Sequence, residues 1–405
     1  MIPRSFAFLT LLCGLLLGAS CTSTKQPTDP VPTPDPTAGW PLDSGWRSAN
    51  FPVTEKDRYI LTTATTSRAF FVLVNQKLTD GGYAQELWRS VDGVAWTPVT
   101  KPVSSYLVDM ISIRDTIYFG TRDSGLSVLD AAGSFVRNIR IPASIQTSGF
   151  FAESNTFPVT GTSHGILASI QQRRGSRDSV ILALLSDTGL VPQNVRFPNT
   201  LRPPSDIFET SSGELLVSSD SLYHGDLSTQ SPAPSFRWAG TCLVGSCIAH
   251  YATGITEYDG KLWMQYMMSP LVRRDLNTLA FHDSVTNFQH SDTFDLEKAY
   301  QKTGLVYRAE FVGLRKHDSL LFVCGTNSVL GDYLGVWVWS RKRERFHHVP
   351  LQRRGIRYAD ENYRATTSVQ VWRDTLYAAT SKGIYKRALT DIQHDLDLDT
   401  LPWRP

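Results

Sequence analysis

Short apolar runs separated by turn-forming residues dominate this chain, and helical periodicity is scarce. The runs are rich in Val, Ile, Leu, Phe and Tyr, and Gly, Asp, Asn and Ser punctuate them, as in RAFFVLV, LLFVCG and LGVWVW. Nearly continuous apolar runs are typical of strands that are covered on both faces of their sheet. The pattern therefore predicts an all-β protein whose sheets pack against neighbours on both sides.

One strand–turn–strand pattern recurs along the chain. SIRDTIYFGTRDSGLSVLD and VWRDTLYAATSKGIYKRAL both predict a strand, an Asp-Thr turn, a second strand, and a tight turn at Gly125 or Gly383. Asp favours turns because its side chain bonds to nearby backbone amides, and glycine takes the positive φ of a short hairpin. Looser copies lie between these two. The predicted turns fall near Ser67, Asp115, Asn155, Gly213, Asp259, Asp318 and Asp374.

A spacing of roughly 40 to 60 residues with several short strands per unit is the signature of a β-propeller. One four-stranded blade cannot cover its own two faces, whereas in a closed ring each blade buries them against its neighbours. We therefore expect a single β-propeller domain over residues 46–405, with seven blades of four antiparallel strands. A pair of β-sandwiches is the alternative, but it would not repeat the same turn at this interval.

The segment RSVDGVAW contains a local motif made of Ser90, Asp92, Gly93 and Trp96. It resembles the Asp-box of sialidase-like propellers. The resemblance implies a structural hairpin in which Asp92 accepts hydrogen bonds from turn amides, Gly93 is left-handed, and Trp96 plugs the side of the sheet. It supports an architecture and not an activity.

Two further resemblances are equally local. The Gly-Thr…Gly-Leu pattern of residues 120–126 is similar to the blades of periplasmic sensor propellers. The segment IRIP, with Arg140, resembles the first-arginine motif of sialidases, in which arginines pair with a substrate carboxylate. In that family the motif precedes the Asp-boxes, whereas here it follows the single copy.

The first twenty residues have the pattern of an export signal. Arg4 forms a short basic head, and the apolar run from Phe6 to Leu17 is shorter than the ~20 residues that span a bilayer. Gly-Ala-Ser then precedes Cys21, and this segment resembles the lipobox of bacterial lipoproteins. The resemblance implies a lipoprotein signal peptide over residues 1–20 and lipid modification of Cys21. An ordinary secretory signal is the alternative.

Residues 21–45 are expected to form a tether. Prolines alternate with Thr and Asp between Pro27 and Pro36, a composition typical of an extended, solvated spacer. A lipid on Cys21 would hold the domain at a membrane. Because Thr22 is not the acidic retention signal of some inner-membrane lipoproteins, we expect an exported, outer-membrane lipoprotein on the periplasmic or surface face.

Charge and cysteine content narrow the range of functions. The net charge is +2, from 40 basic and 38 acidic residues, which argues against nucleic-acid binding. Cys242 and Cys247 can form a disulfide in an oxidising compartment, with the alternative that both stay free. Cys324 lies within an apolar run and is expected to be a buried, small apolar residue.

No residue pattern predicts a catalytic, cofactor-binding or metal-binding site. His282 and Asp283, and the acidic pair Asp360 and Glu361, fit solvated loops between blades. The expected role is ligand binding or protein–protein scaffolding, with an envelope protein or a polysaccharide as partner. The alternative is a carbohydrate-active enzyme, a glycoside hydrolase or sialidase-like enzyme that uses the channel face. A hydrolase of this kind needs two carboxyl groups roughly 5 to 10 Å apart in the channel.

Overall fold

The computed structural model describes residues 45–52, 58–79, 82–102, 106–122, 125–142, 154–174, 177–195, 204, 206–219, 221–227, 236–241, 252–266, 271–285, 310–326, 335–350, 366–380, 383–399 and 401. The predicted signal peptide, the tether up to Ser44, the lipidation site Cys21, and the cysteines Cys242 and Cys247 lie outside these residues. Within the described part of the chain, no helix is long and apolar enough to cross a membrane.

Seven four-stranded antiparallel sheets form the blades of a seven-bladed β-propeller, and the predicted fold class is confirmed. The first strand is β1 (Arg47–Ser48). Blades 1 to 3 are β2 (Arg58–Thr65), β3 (Phe70–Lys77), β4 (Tyr83–Ser90) and β5 (Thr97–Val99); β6 (Leu107–Ile113), β7 (Thr116–Thr121), β8 (Leu126–Leu129) and β9 (Phe135–Ile139); and β10 (Ser154–Thr162), β11 (Gly165–Arg174), β12 (Arg177–Ser186) and β13 (Gly189–Pro192).

The remaining blades repeat the same meander. Blades 4 to 6 are β14 (Asp206–Glu209), β15 (Leu215–Ser218), β16 (Ser221–Gly225) and β17 (Arg237–Thr241); β18 (Ala252–Tyr258), β19 (Lys261–Tyr266), β20 (Leu271–Asp275) and β21 (Phe281–Val285); and β22 (Glu310–His317), β23 (Leu320–Thr326), β24 (Gly335–Ser340) and β25 (Arg345–Pro350). Blade 7 contains β26 (Thr366–Trp372), β27 (Thr375–Thr380), β28 (Gly383–Ala388) and, as its outermost strand, β1.

The two ends of the domain close the ring. β1 pairs antiparallel with β28, so the N-terminal strand completes the C-terminal blade. The first strand of each blade contacts the first strand of the next, and β26 of blade 7 contacts β2 of blade 1. These first strands therefore surround the central channel.

Apolar side chains between the blades hold the ring together. Among the described residues, each of the seven blade-to-blade interfaces contains its own buried cluster. Between blades 1 and 2, for example, Phe71 and Leu73 pack with Phe119, and all three are fully buried. Complete burial of one such side chain contributes roughly 1.5–3 kcal/mol. The core is thus distributed around the ring, because each blade buries both of its faces against its two neighbours.

The meander gives the ring two different faces. Each first strand ends at a short turn into the second strand, and the third-to-fourth turns lie at the same end, which we call the turn face. The opposite end, which we call the loop face, carries the second-to-third connections and the connections between blades.

Six of the seven predicted first-to-second turns are confirmed, and the one near Asn155 is wrong. Asn155 lies within β10, paired with Gln171, and the turn falls at Ser163 and His164. In blade 2 the turn residues are Arg114 and Asp115, with φ of +48° and +64°, so the turn is one residue earlier than the predicted Asp-Thr pair. Positive φ at both residues matches the right-handed twist of a two-residue hairpin.

Turn-face side chains tie neighbouring blades together. Each bond joins a turn serine to a carboxylate near the turn of the next blade. The Ser163 backbone N–H donates to Glu209 at 2.6 Å, and its hydroxyl donates to the same carboxylate at 2.7 Å. The serine–carboxylate pairs are Ser67–Asp115, Ser163–Glu209 and Ser211–Glu257.

A single described helix, α1 (Leu389–Leu398), follows blade 7. Its buried residues Ile392 and Leu396 pack into the cluster between blades 6 and 7. The helix ends at Asp399, whose left-handed backbone has a φ of +59° and whose carboxylate accepts hydrogen bonds from Arg345 at 3.0 and 3.1 Å. The helix therefore covers the interface between blades 6 and 7, and it also contacts β28.

Candidate functional site on the loop face

The predicted Asp-box residues form a hydrogen-bonded turn between β4 and β5. The Asp92 carboxylate accepts the backbone N–H groups of Val94 and Ala95, each at 2.8 Å, and the Ser90 hydroxyl donates to the same oxygen at 3.0 Å. These bonds, with that from Ala95 the largest contributor, lower the pKa of Asp92. Gly93 is left-handed with a φ of +72°. The carboxylate is therefore engaged by its own turn.

This turn also binds blade 1 to the seam of the ring. The Trp96 indole N–H donates to the Ala49 carbonyl at 2.7 Å, and its ring meets Phe51 edge-on with centroids 4.9 Å apart. From blade 7, the Arg373 guanidinium donates to the Val91 carbonyl at 2.8 Å. As a third-to-fourth turn it lies on the turn face, so its residues stabilise the seam and are remote from the loop face.

Arg140 lies at the periphery of the ring. It follows β9, the outermost strand of blade 2, and lines an open groove of about 780 Å³ against the Asp187–Gly189 turn of blade 3. Phe135 and Val136 on the same strand are half exposed. The structure therefore does not bring Arg140 to the channel, where the sialidase resemblance would place it.

The first strands carry a repeated irregularity near the loop face. Each irregularity shifts the pairing register by one or more residues, which marks a β-bulge. Bulges re-aim side chains, and they are common beside functional sites. The shifts fall between Ile60 and Thr62, Leu107 and Asp109, Thr156 and Val159, Ala252 and Gly254, Phe311 and Gly313, and Thr366 and Ser368.

Two carboxyl groups, Asp109 of blade 2 and Asp206 of blade 4, occupy matching positions along these first strands; we call them the channel pair. Burial raises the pKa of both, to about 7 for Asp206. Asp109 adds to the rise at Asp206, and the positive charge of Arg315 in blade 6 lowers the pKa of both. Ionisable groups from three alternate blades therefore influence the pKa values of the channel pair.

The oxygens of the channel pair accept hydrogen bonds from the inner backbone. Asp206 Oδ1 accepts the N–H of Ile207, and Oδ2 accepts the N–H of Ile255 in blade 5, both at 2.8 Å. Asp109 accepts the N–H of Met110 at 2.6 Å. The channel edge of a first strand presents N–H groups without a strand partner, and such groups need an acceptor when buried. The pair therefore has a structural role.

A second polar cluster lies on the loop face between blades 1 and 2. It consists of Tyr59, Asn75, Gln85 and Tyr106, and we call it the tyrosine network. Asn75 is fully buried, and its Nδ2 donates to the Tyr59 hydroxyl at 3.0 Å and to the Tyr106 hydroxyl at 2.7 Å. Gln85 Nε2 donates to Asn75 Oδ1 at 2.9 Å. Both tyrosines are only half-buried, so this network reaches solvent.

Charged and aromatic groups surround the tyrosine network. The Arg122 guanidinium lies 5.4 Å from the centroid of the Tyr106 ring, within the range of a cation–π contact. Tyr59 and Tyr83 meet edge-to-face with centroids 6.5 Å apart. Burial raises the pKa of Tyr106, although its hydrogen bond from Asn75 opposes the shift. The hydroxyl of Tyr106 therefore keeps its proton at neutral pH.

The expectation that His282 and Asp283 lie in a loop between blades is wrong, because both lie in β21, the outermost strand of blade 5. Asp360 and Glu361 lie outside the described residues. Arg273 donates to Asp283 Oδ1 at 2.7 Å, and Lys261 lies 3.0 Å from the Nε2 of His282. Cys324 is a free, fully buried cysteine in β23, as expected, and burial raises its pKa to about 12. Among the described residues, no group of three or more His, Cys, Asp and Glu side chains could hold a metal ion.

The channel pair and the tyrosine network were not found from the sequence. Asp109 stands in YLVDMIS and Asp206 in PPSDIFE, so each acidic residue interrupts the apolar positions of a first strand, and β14 also ends in Glu209. That interruption, at the same offset from the following turn, is a signal that an alignment of the repeats could detect. The tyrosine network gives no such signal, because its four members come from four separate segments.

Comparisons with known proteins show the fold alone. No protein-family model matches the sequence, and no curated protein matches it. The chain is similar to the structure of YCF48 bound to D1 peptide, with a TM-score of 0.51, 11% identity, and coverage of 85% of this chain and 94% of that chain. It is similar to the WD40 β-propeller domain of Doa1, with a TM-score of 0.51, 10% identity, and coverage of 84% and 96%. The chain is also similar to a chain of the Mitotic Checkpoint Complex, with a TM-score of 0.50, 10% identity, and coverage of 85% of this chain and 94% of that chain.

Proposed function

We propose that this chain is a lipid-anchored protein of the bacterial envelope whose propeller binds a protein partner through the loop face. The contrast between the two faces carries the proposal. Turn-face side chains are engaged in bonds between blades, as in the Ser163–Glu209 pair. The loop face instead carries the half-buried tyrosine network, which reaches solvent. Binding residues are commonly found on loops that a rigid scaffold positions.

The comparisons are compatible with a peptide or protein ligand. The structure of YCF48, which shares the fold, is of that protein bound to a D1 peptide. At 11% identity the likeness extends to the fold only, so it supports the capacity of a propeller for such a ligand and says nothing of its sequence.

The proposed anchor is a lipid on Cys21, at the end of an apolar segment too short to span a bilayer. Cells that express the full chain should incorporate labelled palmitate into it. The Cys21→Ser variant should lose the label, and the Cys13→Ser variant should keep it. Equal labelling of parent and Cys21→Ser would exclude the anchor while leaving the binding proposal intact.

The binding proposal predicts crosslinks that depend on the face. A photo-crosslinking amino acid at Tyr83, which is 48% exposed on the loop face, should give an adduct of one defined mass in cells. The same probe at Leu78, which follows β3 on the loop face and is 40% exposed, should give the same adduct. The matched control is Asp318 on the turn face, whose side chain is 89% exposed and which should give none. Equal crosslinking from both faces would contradict the proposal.

The channel pair favours one alternative, a glycoside hydrolase. Two carboxyl groups that influence each other, one with a pKa of about 7, resemble an acid/base pair. Against this, both oxygens of Asp206 already accept backbone N–H groups. The hydrolase alternative predicts that nitrophenyl glycosides are cleaved by the parent and not by Asp109→Asn or Asp206→Asn. A parent without turnover on a broad panel would exclude it.

A further inference from the structure

We infer that Tyr59 and Tyr106, together with Arg122, bind the carboxylate group of an acidic peptide segment. This inference rests on the proposed function in one respect, which is the use of the loop face by a protein partner. It adds the chemistry of the ligand and the residues that recognise it.

The orientation of the tyrosine network is determined by the backbone. The Leu107 N–H donates to Gln85 Oε1 at 2.7 Å, and Gln85 Nε2 donates to the Leu107 carbonyl at 2.8 Å. These two bonds fix which end of the Gln85 amide is the nitrogen. That nitrogen also points at Asn75 Oδ1, so the Asn75 amide is fixed in turn.

The fixed Asn75 amide makes both tyrosine hydroxyls acceptors within the protein. Nδ2 uses its two hydrogens on Tyr59 and Tyr106, so neither hydroxyl can donate back to it. Within the described residues, neither tyrosine hydroxyl donates to a protein acceptor. Each therefore has a proton available for a ligand, and a hydroxyl that accepts a hydrogen bond becomes a stronger donor.

The geometry of the two donors suits a carboxylate. Because both hydroxyls bond to one planar amide nitrogen, their oxygens lie about 5 Å apart, which lets each donate to a separate oxygen of one carboxylate. Arg122, over the Tyr106 ring, adds a positive charge beside them. Two hydroxyl donors beside a cation favour an anion over a neutral carbonyl group, because only the anion is also attracted by the positive charge.

The surrounding rings favour a peptide over a polysaccharide. Sugars bind aromatic side chains largely by stacking on an open ring face. Here Arg122 lies over the ring of Tyr106, and Tyr59 and Tyr83 are already in edge-to-face contact. The donors that remain are those an acidic side chain or a chain terminus uses.

The test measures binding of a labelled tetra-aspartate peptide to the detergent-solubilised full chain by fluorescence anisotropy, with tetra-asparagine as the matched neutral peptide. The acidic peptide should bind and the neutral one should not. Tyr59→Phe and Tyr106→Phe remove one hydroxyl each, and each should weaken binding roughly tenfold, because a hydrogen bond to a charged group is lost. Arg122→Gln should weaken binding and reduce its dependence on salt.

Tyr83→Phe is the control, since its hydroxyl lies outside the network, and it should bind like the parent. Thermal unfolding shows whether each variant is folded, and the conservative Phe changes are chosen to keep it so. Equal binding of tetra-asparagine, or unchanged affinity in both Phe variants, would overturn the inference. So would an oligouronate that binds in the same Phe-sensitive manner while tetra-aspartate does not. If the parent protein does not bind tetra-aspartate but its loop-face probes still form crosslinks in cells, this inference alone is refuted. If the parent shows neither peptide binding nor face-specific crosslinks, the proposed function is refuted as well.

Discussion

At the scale of single residues, Gly93 is the position most sensitive to a side chain. A Cβ built there would lie 2.1 Å from the hydroxyl oxygen of the buried Tyr377, and the φ of +72° adds backbone strain. Gly93→Ala should therefore lower the free energy of unfolding by about 2 kcal/mol or more, from left-handed strain plus displacement of the tyrosine. Urea unfolding followed by circular dichroism measures the change.

Gly213→Ala is the matched control for this prediction. Gly213 has a comparable φ of +85°, but nothing lies within 4 Å of its added Cβ. It should lose only the strain contribution, about 1 kcal/mol. If both variants lost the same stability, the contact between the added Cβ at position 93 and Tyr377 would not contribute to the loss.

Asp206 should make stability depend on pH. Its folded pKa of about 7 lies above the unfolded value near 4, so folding takes up a proton between these values, and the free energy of unfolding falls as pH rises from 4 to 7. Because Asp206 is half-buried, solvent screening reduces the effect to roughly 1–2 kcal/mol over this window. Urea unfolding of the parent and of Asp206→Asn at pH 5, 6, 7 and 8 tests this.

The comparison with Asp206→Asn is needed because His347 acts in the opposite direction. Burial lowers the pKa of His347, so its contribution to stability is lost as pH falls. The parent should therefore lose more stability than the variant between pH 5 and pH 7. Asp109→Asn should shift the Asp206 transition toward lower pH, because the neighbouring carboxyl raises it. Parallel curves for parent and Asp206→Asn would refute the assignment.

Residues of the structural turns could be read from the sequence, whereas residues of the loop face could not. Asp92 bonds to the backbone of Val94 and Ala95, two and three residues further along the chain. A turn made by such near neighbours can be predicted from the local sequence. Asn75 and Tyr106 meet because two blades pack together, and nothing local marks either one. Contacts that form only when the ring closes cannot be predicted from local sequence patterns.

At the scale of elements, equivalent turns should respond differently to the same change. Asp374 and Asp115 both hold the second position of a two-residue turn, with φ of +54° and +64°. Asp374→Gly should raise the free energy of unfolding by about 0.5 kcal/mol, because glycine adopts this φ without strain.

Asp115→Gly should be neutral or destabilising, because it removes the carboxylate that accepts both the hydroxyl and the backbone N–H of Ser67 at 2.5 Å. Ser67→Ala in the Asp115→Gly background should then have little further effect. Equal gains from both glycine changes, measured by urea unfolding, would show that the bond between blades 1 and 2 contributes nothing.

The missed turn near Asn155 shows where element-scale prediction fails. Asn155 has turn propensity, and Pro158 follows it, yet both lie in β10. The strand tolerates proline because the register shifts between Thr156 and Val159, and first strands have an unpaired edge toward the channel. Tertiary position therefore overrides the local preference, and the turn forms eight residues later at Ser163.

Across the whole propeller, the number of blades was predictable because the chain repeats one strand–turn–strand unit in every blade. The buried clusters between blades come from the apolar runs that first suggested both-face coverage. The role of β1 was not predictable, since a two-residue strand leaves almost no pattern. Its pairing with β28 depends on the two ends of the domain meeting.

A backbone hydrogen bond beside β1 supports the closure of the ring. The Ala49 N–H donates to the Ile384 carbonyl at 2.8 Å, immediately after β1, and Ala49 is fully buried. Ala49→Pro removes this donor, whereas Ala49→Gly keeps it and loses only a methyl group. Hydrogen exchange should therefore quicken in β28 and β1 of the proline variant, with β15 and β16 of blade 4 unchanged, because the seam opens locally. The glycine variant should show a smaller change in the same strands. A proline variant in which all seven blades exchange equally faster would mean that the ring unfolds as one cooperative unit, with no separate opening at the seam.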